Sequence, residues 1–135
     1  MAKDNKTLHL VLKRKWWVMI QQGVKKEEYR SLSTYNIQRL CDMEMYDRHV
    51  GRVVRKPARK EYIEDWISLG YGVEWLLEVR HLILRDYTRV CFHLGYTNTT
   101  MAFRIEGITV GLGRKEWGAE NGVRYFIISL GERVK

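Results

Sequence analysis

A chain of 135 residues, 45% hydrophobic and 30% charged, has the length and apolar content of one folded domain with its own core, not those of a disordered tail. Its 24 Lys and Arg against 16 Asp and Glu leave a net charge of +8, a field that attracts polyanions, nucleic acid first. No apolar run approaches the roughly 18 residues that span a bilayer, and Met1 to Lys6 carries no apolar signal core, so a cytoplasmic protein with no membrane partner is expected.

Leu8, Leu10 and Leu12 alternate with His9, Val11 and Lys13, the period of a strand. From Arg14 to Gln22 the apolar residues Trp16, Trp17, Met19 and Ile20 fall at helical spacing, and Gly23 supplies the stop. The adjacent Trp16 and Trp17 point about 100° apart on a helix, so one of them enters the core while the other is a candidate stacking platform for a base. Lys26 to Leu32 reads as a second strand, and Ser33 or Thr34 as the cap of a helix over Tyr35 to Cys41.

Between Asp42 and Lys60 the apolar period dissolves among Arg48, Arg52, Arg55, Lys56, Arg59 and Lys60, with the only proline at Pro57. An exposed basic loop with at most a partial helix is expected there. Tyr62–Leu69 and Val73–Leu84 read as helices parted by Gly70-Tyr71-Gly72. Thereafter the period returns to two: Val90, Phe92 and Leu94, then Met101, Phe103 and Ile105. After Gly107 the apolar phase slips to Ile108 and Val110, which predicts a β-bulge and a bent strand. Gly111-Leu112-Gly113 is expected to be a turn, and Arg124–Leu130, apolar on both faces, a central strand.

Three segments together resemble the ASCH family of the PUA-like superfamily, in its small stand-alone bacterial and phage form. They are Leu8–Lys13 with the helix ending in Gly23-Val24-Lys25-Lys26-Glu27-Glu28-Tyr29-Arg30, the strand Thr88–Tyr96, and the ending Phe103–Val110, Trp117 and Tyr125–Gly131. The resemblance covers residues 7–40 and 86–134. It implies a single α+β domain over 1–135, a PUA-like small mixed β-barrel of about five to six strands with flanking helices, carrying a helical, basic insertion at 42–85. It also implies a cleft lined by the frame G-x-K-x-x-E-x-R, in which RNA or a modified nucleoside binds, in a bacterial or phage-infected cytoplasm.

The frame residues suit that role. Glu28 and Arg30, two apart in a strand, share one face, where the carboxylate would hold the guanidinium or pair with it directly. Lys25, at the helix-to-strand turn, is a cation for phosphate or, buried, a base with a lowered pKa. The competing reading is a solvated charge cluster. Trp117, among glycines and basic residues in the loop before the last strand, reads equally as a base-stacking site and as an apolar plug over the barrel end. The ligand-binding set is Lys25, Glu28, Arg30, Trp17 and Trp117; in a hydrolase, Lys25 and Glu28 would be catalytic.

Some members of the family are amidohydrolases acting on N4-acetylcytidine, with a lysine, a threonine three residues later and a distant glutamate. Lys25 matches the lysine, but Glu28 stands at the threonine position and removes the hydroxyl nucleophile. Glu116 and Glu120 are the candidates for the glutamate. The same cleft could instead serve a ribonuclease, and a phage protein-interaction module is also compatible with the chain. His9, His49, His81 and His93 show no metal-ligand spacing, so neither metal nor cofactor is expected. Cys91 and His93 do share a strand face, which reads equally as plain barrel surface. Whether Cys41 and Cys91 pair, and the oligomeric state, stay open.

Overall fold

The computed structural model describes residues 6–135; the N-terminal segment weighed as a signal lies largely outside them. Among these residues the chain is a mixed α/β protein with eight strands in two sheets and four α-helices. It divides into two compact units: the chain up to Arg30 with Asp86–Lys135, and Ser31–Arg85.

The first unit is built on a five-stranded sheet. In chain order it contributes β1 (Thr7–Leu12), α1 (Arg14–Gln21), β2 (Glu27–Ser31), and later β6 (Arg89–Leu94), β7 (Thr100–Leu112) and β8 (Arg124–Arg133). The strand order is β1-β6-β7-β8-β2, with β1 parallel to β6 and the pairs β6–β7 and β7–β8 antiparallel. β1 and β2 are thus opposite edges, yet Arg30 Nη2 of β2 donates to the Val11 carbonyl of β1 at 2.8 Å. The sheet must curl to bring these edges together, which makes it a partial barrel.

Alternation decides what fills that barrel. Leu8, Leu10, Leu12, Val90, Phe92, Phe126 and Ile128 are buried, and Phe92 meets Phe103 with ring centroids 6.0 Å apart. Each such side chain contributes about 1.5–3 kcal/mol relative to an exposed one. Trp17 and Ile20 on α1 are buried as well. The register irregularities in β7 fall between Phe103 and Gly107, beside the predicted slip. Gly111 and Leu112 complete β7 rather than forming a turn, because both pair with β8.

The second unit holds α2 (Thr34–Leu40), β3 (Cys41–Asp47), β4 (Arg52–Pro57), α3 (Lys60–Ser68), α4 (Val73–Glu78) and β5 (Leu82–Leu84), its sheet ordered β4-β3-β5. Ser33 caps α2, its hydroxyl accepting from the Asn36 N–H at 3.2 Å. Its core gathers Ile37, Leu40, Cys41, Met43, Ile63, Leu76 and Leu82.

Two expectations are corrected in this unit. The stretch from Asp42 is not a loop but an antiparallel hairpin, in which Met45 pairs with Val54 and Tyr46 with Val53. β4 buries none of its residues, so it left no apolar period to read. Arg52, Arg55, Lys56 and Pro57 are what an exposed edge strand carries to discourage further pairing. The helix expected over Val73–Leu84 ends at Glu78, because Arg80 adopts φ 64°, and Leu82–Leu84 pairs with β3 instead.

Candidate functional site

The site begins at the end of α1. Gly23, at φ 77°, lets the chain reverse: its N–H bonds the Ile20 carbonyl, and the Val24 N–H bonds the Met19 carbonyl, at 3.0 and 2.9 Å. Lys25 N–H also reaches Met19, at 3.0 Å. This tight turn sends the Lys25 side chain inward, where it is 1% exposed.

An ammonium offers three protons, and Lys25 has three acceptors. Nζ donates to the carbonyls of Glu27 at 2.6 Å and Trp117 at 2.7 Å, and lies 3.3 Å from Glu28 Oε1. The Tyr29 and Trp16 rings flank it, 4.7 and 5.3 Å from Nζ to the centroids. Burial lowers the Lys25 pKa from its usual 10.5, against the opposing pull of the Glu28 carboxylate.

Glu28 and Arg30 share a face of β2, as their spacing predicts. Glu28 Oε2 accepts from Arg30 Nη2 at 2.8 Å, so one carboxylate bridges lysine and arginine. The same Nη2 joins the barrel edges through Val11, and Arg30 Nε is buried without a partner. Tyr29 donates to Glu27 Oε1 at 2.7 Å and accepts from the Arg114 N–H at 2.9 Å. Burial is the first cause raising its pKa, to about 12.

Trp117 ends a short 3-10 turn, Lys115–Trp117, closed by Gly118 at φ 105°. A Cβ on Gly118 would lie 2.9 Å from Trp16 Cζ2, so this turn is seated on the Trp16 ring. The Arg114 guanidinium covers the Trp117 ring at 4.7 Å. A cavity of about 550 Å³ opens here, with Lys25, Lys26, Glu27, Arg114, Trp117 and Ser129 among its walls.

Among the expected site residues, then, Lys25 and Trp117 line the cavity, while Glu28 and Arg30 reach it only through Lys25. Trp17 is 5% exposed and packs in the core; it is Trp16 that stands beside Lys25. Glu116 lies in the solvent, 3.9 Å from Arg114, and Glu120 lines a smaller hollow beside Gly122. Tyr29, Arg114 and Ser129 do not stand out in the sequence as site residues. Tyr29 carries a signal, since it alternates with Glu28 within the frame. Arg114 lies in the glycine-flanked basic stretch beside Trp117, which the sequence does mark, whereas Ser129 carries no signal, because only the pairing of β8 with β7 brings it to this cavity. No family model, curated protein or solved structure matches the chain.

Proposed function

We propose that this chain is an ASCH-type, PUA-like module that binds RNA or a modified nucleoside in the cavity beside Lys25. The observation that carries this reading is the pairing of Trp117 with Arg114 at the cavity wall, above an inward-facing lysine. An indole and a guanidinium plane are both stacking surfaces for a base. A cavity of about 550 Å³ falls within the size range of small-molecule sites.

Charge sharpens the ligand class. Lys25, Lys26 and Arg114 share the walls with Glu27, Glu106 and Glu132. Balanced charges with an aromatic face suit a neutral, planar, polar group such as a nucleobase better than a run of phosphates. The excess positive charge elsewhere on the chain would hold the RNA backbone, with an affinity that falls steeply as salt rises.

Titration of the full chain with short single-stranded RNA and with free nucleosides, followed by tryptophan fluorescence and calorimetry, tests this. Binding at low salt, weakened in Trp117→Ala and Arg114→Ala, is expected. Absence of binding to both ligand types at low salt would overturn it.

A second reading is a nucleoside amidohydrolase. It is favoured by the lowered pKa of Lys25 and by the Ser129 hydroxyl in the same cavity, which would replace the hydroxyl absent at Glu28. Release of cytidine from N4-acetylcytidine, lost in Ser129→Ala, would select the enzyme over the binding module.

A further inference from the structure

We propose that His9, Cys91 and His93 form a three-ligand site for a divalent transition-metal ion, zinc foremost, with a fourth position open to solvent. The site lies on the outer face of the barrel sheet and is independent of the cavity beside Lys25.

Strand geometry makes it. β1 and β6 run parallel, with His9 opposite Cys91 and Val11 opposite His93. Leu8, Leu10, Val90 and Phe92 point into the core, so the alternating His9, Cys91 and His93 all project from the other face. His9 Nδ1 and His93 Nε2 are 3.0 Å apart, and the thiol and both imidazole nitrogens lie within 4.8 Å of one another.

Tetrahedral zinc, with bonds of about 2.0–2.3 Å, sets its ligand atoms roughly 3.3–3.6 Å apart. The imidazole nitrogens already stand slightly closer than that, and a rotation of the cysteine side chain brings the sulfur in. The donor set chooses the ion. Two imidazoles and a thiolate, with no carboxylate, suit zinc and its neighbours and not magnesium or calcium. Three protein ligands with solvent in the fourth place is the pattern of a site that keeps a position for water or substrate.

Cobalt(II) is the probe, titrated into metal-free full-length protein. The expected result is one equivalent bound, with a thiolate-to-cobalt charge-transfer band and visible bands of tetrahedral intensity, all erased by added zinc. The charge-transfer band should vanish in Cys91→Ser and persist in Cys41→Ala, whose thiol is buried in the core of the other unit. His9→Ala and His93→Ala should each weaken binding at least as much as the roughly 10–100-fold lost with a mere supporting residue. A second measurement needs no variant: zinc should slow alkylation of Cys91 in the wild-type chain, read by peptide mass. No charge-transfer band at millimolar cobalt, a band that survives Cys91→Ser, or alkylation of Cys91 indifferent to zinc would each overturn the site.

Discussion

Both units carry exposed charged pairs, but among the described residues only the barrel unit buries one. In the barrel unit the carboxylate of Glu28 is 9% exposed and bridges a lysine that is 1% exposed and an arginine that joins two sheet edges. In the other unit Asp42 pairs with Arg55 and Arg85, and Glu44 with Arg80, at exposures of 20% or more for every partner. Water screens the second set and leaves the first to the low dielectric of the interior. The barrel network is therefore an internal tie, holding the 3-10 turn at Trp117 and the edges of the sheet, whereas the hairpin pairs dress a surface.

Removing one member of the buried network should have the largest effect. Glu28→Leu leaves Lys25 and Arg30 facing each other with no anion between them, and a loss of about 3–5 kcal/mol is expected. Denaturant unfolding measures it; adding Lys25→Met to the same chain should recover part of the loss. A Glu28→Leu midpoint equal to wild type would erase the contrast between the units.

Gly118→Ala should follow, at about 2 kcal/mol, since φ 105° disfavours any side chain and the new methyl would meet the Trp16 ring. A fall in stability with altered Trp16 and Trp117 fluorescence is the expected signature.

Tyr29→Phe should cost about 1 kcal/mol through its two hydrogen bonds. It also carries a pH signature. The folded pKa of about 12 exceeds the usual 10.0, so the fold retains the proton. The Tyr29 contribution is complete below pH 10 and is lost as pH rises through about 12. Ultraviolet titration should show a late tyrosinate component that disappears in Tyr29→Phe.

The smallest change is expected in the second unit. Glu44→Gln removes an exposed partner of Arg80 and should shift stability by no more than about 0.5 kcal/mol. A larger loss would mean that the hairpin pairs are not the surface dressing their exposure implies.

Much of the barrel unit was legible in the chain. Alternating leucines marked β1, helical spacing closed by Gly23 marked α1, and the phase slip near Gly107 marked the irregular stretch of β7. The hairpin of β3 and β4 was not legible, because an edge strand made of arginine, lysine and valine buries nothing and so has no periodic apolar signal. Nor was the early end of α4, where tertiary pairing of Leu82–Leu84 with β3 overrode a continuous helical pattern.

The candidate sites divide along the same line. Local spacing placed Glu28 and Arg30 on one strand face and set Lys25 at a turn, because these relations depend on a few neighbouring residues. The approach of Arg114 to Tyr29 and the meeting of His9 with His93 join residues 85 and 84 positions apart in the chain. Which tryptophan turns toward Lys25 is likewise settled by what the core accepts on the other side of α1. Periodicity reports which face a residue occupies. Only the pairing of strands decides which other residues share that face, and those contacts give a charged or ligating side chain its chemistry.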